Sequence, residues 1–212
     1  TAHQMYELDP YAKLEVFPEG IKGEKALRAF IAGPPKLHIL IDETDDVIMK
    51  IRLRVEARKL RIPVISVADN GDRAIADVER FDLEPNRSLY HGLLGKVERE
   101  KLEHISFGAK IKLINKMVGV QYVASRMKQS LLQVGEFLYA WPQLGGAAML
   151  SGAAIAYLVK KIALGGQIPS GKYDVNLERI FDSQYDSLKA KKKRDQETQQ
   201  FLGVQNRIFS SL

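Results

Sequence analysis

Hydrophobic and polar positions along this chain alternate between two periods. Leu37-His38-Ile39-Leu40-Ile41 is a near-continuous apolar run, the pattern of a strand covered on both faces. Ile62-Pro63-Val64-Ile65-Ser66-Val67 repeats it, with Pro63 at the strand's start, where a missing donor costs least. Between them, residues 47–60 have helical spacing. Ile48, Ile51 and Val55 form one stripe, and Lys50, Arg54, Arg58 and Arg61 lie on another ridge.

Upstream, Leu14, Val16 and Phe17 predict a short strand closed by Pro18-Glu19-Gly20. Residues 25–31 predict a helix with Ala26, Leu27, Phe30 and Ile31 apolar, stopped by Gly33-Pro34-Pro35. Strands alternating with helices of this length imply parallel pairing through right-handed crossovers. Residues 12–67 thus predict three strands and two helices of one sheet.

After Val67 the pattern changes. Asp69-Asn70-Gly71-Asp72 predicts a turn, and residues 77–82 a further strand or extended segment. Helical spacing follows over about 97–105, 107–117 and 122–140. A last helix begins at Pro142, which suits a first helical position, and runs to about 163, before Gly165-Gly166.

The fold class expected is α/β: a partial Rossmann-like parallel sheet whose first βα units are missing, followed by a mainly helical C-terminal region. Residues 1–95 are the second part of the nucleotide-binding domain, and 96–175 a helical region packing back on it. Residues 176–212 are a basic tail, disordered or helical. The opening Thr1-Ala2-His3-Gln4-Met5-Tyr6-Glu7-Leu8 reads as the tail of a helix already under way, ended by Asp9-Pro10. The expectation is a fragment whose N-terminal part lies upstream.

Composition narrows the chemistry. With 212 residues and 45% apolar content, a real core is accessible. Cysteine is absent, which excludes disulfides, thiolate zinc sites and cysteine nucleophiles within this segment and fits a reducing, cytoplasmic setting. No secretory signal opens the chain. The net charge is +6, with Lys189, Lys191, Lys192, Lys193 and Arg194 in one dense run. That run reads as a solvated helix end or tail, with nucleic-acid or anionic-membrane contact the alternative; no aromatics interleave with it, which argues against a single-strand stacking surface. Residues 137–159 carry no charge and approach the length of a bilayer span. Their glycines, Pro142, Gln143 and Ser151 favour a buried helix over a membrane span.

Candidate chemistry gathers at Asp42-Glu43-Thr44-Asp45-Asp46, directly after the strand at 37–41. In an open parallel sheet, ligands bind beyond the carboxyl ends of the strands. Asp42, Asp45 and Asp46 project toward that crevice, and Lys50 is placed to balance them or touch a phosphate. A nucleotide triphosphate with magnesium would use such a group, since magnesium takes only one or two protein carboxylates beside phosphate oxygens. The alternative is structural: Asp45 or Asp46 caps the following helix and Asp42 solvates a loop. His3, His38, His91 and His104 show no metal-ligand spacing. His38 reads as a satisfied core histidine, and His91 as a residue that could line a pocket.

A family resemblance rests on these residues in order. Leu8-Asp9-Pro10, the predicted strand, Gly20-Ile21, Asp42-Glu43-Thr44-Asp45-Asp46, Lys50, Arg54 and Arg61-Ile62-Pro63-Val64 resemble the ThiF-type fold. This is the adenylating superfamily of ubiquitin-activating and sulfur-carrier-activating enzymes. Gly152-Ala153-Ala154-Ile155-Ala156-Tyr157-Leu158-Val159-Lys160 resembles its late Gly-x-x-x-Ala-x-x-x-Lys helix. Asp77-Val78-Glu79-Arg80-Phe81-Asp82 and Trp141-Pro142-Gln143-Leu144 look like a bacterial subgroup.

The resemblance implies an ATP-dependent adenylyltransferase that activates a carboxylate as an acyl-adenylate with release of pyrophosphate. ATP and Mg²⁺ are the implied cofactors, and Asp45 the magnesium and phosphate residue. Asp46 stands where the family has asparagine, and Ile21 matches the position flanking adenine. The implied partner is a ubiquitin-like or sulfur-carrier protein C-terminus, or a small acid, and a homodimer is implied. The family's glycine loop, arginine and lysine would lie upstream, so this segment alone is expected to be inactive. A nicotinamide- or flavin-dependent Rossmann oxidoreductase and a non-catalytic ThiF-like scaffold are the competing readings.

Overall fold

A computed structural model describes residues 2–95, 105, 107–134, 136–140 and 142–210. The chain folds as two units, residues 1–37 and residues 38–212.

In the first unit, α1 (Ala2–Leu8) ends at Asp9, whose carboxylate accepts from Tyr11 N at 3.0 Å. The second helix, α2 (Gly23–Ala32), buries Leu27 and Ile31 on one side. A Cβ at Gly33 would collide with the carbonyl of Ala29, so glycine ends this helix on steric grounds. The strand expected at Leu14, Val16 and Phe17 does not form: residues 12–17 make no ladder. A strand needs a partner for its backbone groups, and no strand occurs in this unit among the described residues. Phe17 instead meets Phe30 edge-on, ring centroids 5.5 Å apart.

The second unit is an α/β arrangement around one mixed sheet. Its strands are β1 (Leu40–Ile41), β2 (Val64–Asn70), β3 (Arg73–Glu79) and β4 (Gly171–Asn176), in the order β1-β2-β3-β4. The first pair is parallel, with Leu40 opposite Val64 and Ile41 opposite Ile65. Helix α3 (Val47–Lys59) makes the connection between them. Asp46 caps its start, accepting from Ile48 N at 2.8 Å and Met49 N at 3.1 Å. Its end closes through Ile62 N to Ala57 O at 2.8 Å and Arg61 N to Arg58 O at 3.2 Å, with Arg61 in left-handed backbone.

The other pairings are antiparallel, which corrects the wholly parallel expectation. Gly71-Asp72 is a two-residue loop between Asn70 and Arg73, which pair across it. Two residues can join antiparallel strands only, since a parallel return needs a long crossover. Gly71 supplies the positive φ the loop requires, +65°. The predicted turn was therefore placed two residues early, because Asp69 and Asn70 continue β2. The run at 37–41 also pairs over only two residues, and His38 is exposed in a bend before β1, not buried within a strand.

Helices α4 (Phe107–Val118), α5 (Ser125–Leu131) and α6 (Gly145–Ala163) follow. The helix expected over 122–140 is shortened to α5, with turns and a bridge between Val134 and Leu138 beyond it. Most of the helix expected over 97–105 lies outside the described residues. By length and composition α6 could cross a membrane, yet its inner side packs on the sheet. Leu158, with Leu150, Ala154, Ile155, Val159 and Ile162, meets Ile65, Val67, Ala74, Ala76 and Val78. After β4 come α7 (Leu177–Phe181) and α8 (Leu188–Ser210), so the basic run lies at the start of a helix.

Candidate functional site

Alternation along β3 sorts apolar from ionic side chains. Ala74, Ala76 and Val78 face the core under α6, so Arg73, Asp77 and Glu79, with Ile75, face the opposite side. Arg54 of α3 reaches that side fully buried. Its Nε donates to Glu79 Oε2 at 2.7 Å, its Nη2 to Ser66 Oγ at 3.0 Å, and its Nη1 to Asp42 Oδ2. The guanidinium also lies 4.2 Å from the centroid of the Tyr90 ring.

Asp77 extends the network. Its Oδ1 lies 3.0 Å from His91 Nε2, and its Oδ2 accepts from Lys172 Nζ. Burial opposes ionisation of Asp77, but the His91 hydrogen bond and the Lys172 charge outweigh it and hold its carboxyl at about 2. Asp42 follows the same balance: burial raises its carboxyl, and Arg54 and Lys50 bring it below the ordinary value. Burial raises the Glu79 carboxyl, with Arg54 opposing.

The turn Leu89–Gly92 fits around these charges in strained backbone. Tyr90 and His91 have consecutive positive φ, 48° and 58°. Such residues cost on the order of 1–3 kcal/mol each. Their contacts hold them there: Tyr90 N donates to Glu79 Oε1 at 2.6 Å, and His91 meets Asp77. Lys50, Arg54 and Lys172 are the network's cations, and Asp42, Asp77 and Glu79 its carboxylates. The count is three against three. This network is therefore closer to a neutral internal brace than to a reactive cluster.

Beside it opens a cavity of about 340 Å³. Thr44, Asp45, Lys50, Ser66, Asp77 and Lys172 form a polar side. Ile114, Met117 and Val118 of α4 and Met127 and Leu131 of α5 form an apolar side. The volume lies within the roughly 300–1,000 Å³ typical of small-molecule sites, which combine apolar walls with a few placed polar groups.

The expected site residues divide. Asp45 is exposed and lines the cavity, and its carboxylate has no hydrogen bond or ion pair among the described residues. Lys50 also lines the cavity, half-buried, with Nζ 3.5 Å from Asp42 Oδ1. Asp42 is buried and engaged by Arg54, Lys50 and Thr44 Oγ1, the last at 2.8 Å. Asp46 is committed to its helix cap. Ile21 belongs to the first unit and is half-buried. His91 holds Asp77 and does not line the cavity.

Glu79 stands in the run 77–82 with no role expected of it, and none is expected of Tyr90 or Lys172. The pair Asp77 and Glu79, two apart in a strand whose other residues after Arg73 are Ala, Ile and Val, signalled two carboxylates on one covered face. Nothing local signals Lys172, which meets Asp77 across 95 positions.

Among the described residues, no group of three His, Asp or Glu side chains could hold a metal ion by itself. Magnesium does not require one: one exposed carboxylate beside phosphate oxygens fits its habit of retaining several waters.

No family model matches the chain, and no solved structure matches it. The chain is similar to an uncharacterized protein of Mycobacterium tuberculosis (strain CDC 1551 / Oshkosh), at 32% identity over 182 residues. The match covers 86% of this chain and 25% of that relative, so the chain spans about a quarter of the length of the curated relative it matches.

Proposed function

We propose that this chain contributes one wall of a magnesium–ATP site in an ATP-dependent adenylyltransferase of ThiF type. The carrying observation is Asp45: an unpartnered carboxylate beside Lys50, lining a cavity just past the carboxyl end of β1. The parallel unit β1–α3–β2 supports reading this part of the sheet as part of a Rossmann-like domain. In such sheets this edge is where ligands bind.

The remaining acids and bases are already employed. Asp46 caps α3, and Asp42 neutralises Arg54. Asp45 is left to hold magnesium, and the Lys50 ammonium to face a phosphate oxygen. The apolar side from α4 and α5 suits the flat, weakly polar part of a nucleotide. Bound magnesium would neutralise phosphate charge as a substrate carboxylate attacks the α-phosphorus, forming the acyl-adenylate and releasing pyrophosphate. The carboxylate would come from a ubiquitin-like or sulfur-carrier protein or from a small acid.

The test is exchange of radiolabelled pyrophosphate into ATP by the protein that carries this chain, across candidate carboxylate partners. Partner-dependent exchange that is lost in Asp45→Asn supports the proposal. Exchange with no partner dependence, or unchanged by Asp45→Asn, overturns it.

A further inference from the structure

A second cavity, of about 260 Å³, lies at the start of β3. Its charged lining is Arg73, Lys128, Lys191 and Arg194, against Asp174 and Asp195. Cations outnumber carboxylates by four to two. The ionic network around Arg54 shows no such excess.

Two of these cations are buried to an unusual degree. Arg73 is 5% exposed and Lys128 is 4% exposed. Lys and Arg are seldom so enclosed unless a charge partner accompanies them. The Lys128 ammonium has one described hydrogen bond, to Thr198 Oγ1 at 2.6 Å, and no carboxylate pairs with it among the described residues. Burial lowers its basicity, Glu197 opposes that fall, and Arg73 adds to it. Arg73 donates from Nη1 to Asp174 Oδ2 at 3.4 Å and to Tyr185 Oη at 2.8 Å. Its Nε is buried and has no hydrogen-bond partner among the described residues.

The cations are held in place by rigid groups. Arg194 Cζ lies over the Tyr185 ring, 4.0 Å from its centroid. Asn70 fixes the loop beside the cavity, donating to Tyr122 O and accepting from Ala124 N, each at 2.7 Å. An enclosed ammonium satisfied by one hydroxyl, beside a guanidinium with an orphaned nitrogen, is costly without an anion. Arginine forks and lysine point charges together are the usual means of holding phosphate oxygens.

We propose that this cavity is a binding site for a phosphate-type oxyanion, held by Arg73, Lys128 and Arg194. Its volume is below the roughly 300–1,000 Å³ of sites that enclose drug-sized molecules. It therefore suits a phosphate or pyrophosphate group and not a whole nucleotide. The basic start of α8 is assigned a local task by this site, with Lys191 at its edge. The proposal is independent of the magnesium–ATP reading, because none of its charged residues lines the first cavity.

The test is calorimetric titration of the full 212-residue chain with inorganic pyrophosphate and with inorganic phosphate, in chelator and without magnesium. Saturable one-to-one binding of either anion is expected, weakening as salt rises. Lys128→Met, which keeps the apolar stem, should weaken it by about tenfold or more, and Arg194→Gln several-fold. If Lys128→Met fails to fold, the half-buried Arg194 decides the matter through its own variant. Lys50→Met should bind the anion as the wild type does. Loss of binding in Lys50→Met would place the anion in the first cavity and overturn the proposal. So would the absence of saturable binding, or binding unchanged in Arg194→Gln. Capture by anionic vesicles or RNA with no response to either small anion would also contradict it.

Discussion

Arg54 donates from Nε to Glu79 Oε2 at 2.7 Å, and both side chains are wholly shielded from solvent. The two residues are 25 positions apart, so this pair ties α3 to β3. Removing the cation would strand Glu79 as a buried carboxylate and leave Asp42 only Lys50 and Thr44 as side-chain partners. Breaking a buried pair from one side costs about 3–5 kcal/mol. Arg54→Met should therefore lower the urea-unfolding free energy by that amount. Adding Glu79→Gln should restore part of it, and a loss below about 1 kcal/mol would show that the pair does not hold these elements together.

Asp77 gives the pair network a pH signature. Its folded carboxyl titrates at about 2, below the ordinary 3.8. The unfolded chain thus binds this proton more readily, and stability rises with pH across that window. Asp77 contributes fully above about 4 and loses its contribution as pH falls through about 2, a change of about 2 kcal/mol. Unfolding free energies measured from pH 5 to pH 2 should fall less steeply in Asp77→Asn than in the wild type. Equal slopes would contradict this assignment.

Adjacent aspartates should separate by phenotype. Asp46 accepts two amide hydrogens at the start of α3, so Asp46→Ala should cost about 1 kcal/mol of stability. Asp45 makes no such bond among the described residues, so Asp45→Asn should leave the unfolding midpoint almost unchanged. Thermal unfolding of the two variants decides between them, and a larger loss in Asp45→Asn would reverse the roles assigned here.

Much of this unit was legible from local pattern. The helix between Val47 and Lys59 follows from the Asp46 cap and the spacing of Ile48, Ile51 and Val55, and it forms as expected. The strand after Pro63 was equally readable, as was the end of the apolar helix at Ala163, although that helix starts at Gly145 and not at Pro142. Direction of pairing was not. Alternating strands and helices suggested a parallel sheet, but Asn70-Gly71-Asp72 carried the signal of a tight hairpin and β4 came from 100 residues downstream. The acidic loop was correctly placed at a strand's carboxyl end, yet its members could not be told apart by spacing. Whether an aspartate caps, pairs or stays free depends on partners such as Arg54, which helical periodicity assigned only to a ridge of cations. Leu14, Val16 and Phe17 had strand propensity without a neighbouring strand, and propensity alone does not satisfy backbone hydrogen bonds.

That this cavity takes magnesium–ATP is tested most directly by calorimetric titration of ATP into the protein that carries this chain, with and without magnesium, for wild type and Asp45→Asn. The account predicts saturable binding strengthened by magnesium, with that gain reduced at least about tenfold in Asp45→Asn and retained in Asp46→Ala. Magnesium-dependent binding that is identical in wild type and Asp45→Asn would contradict it, as would no dependence on magnesium at all.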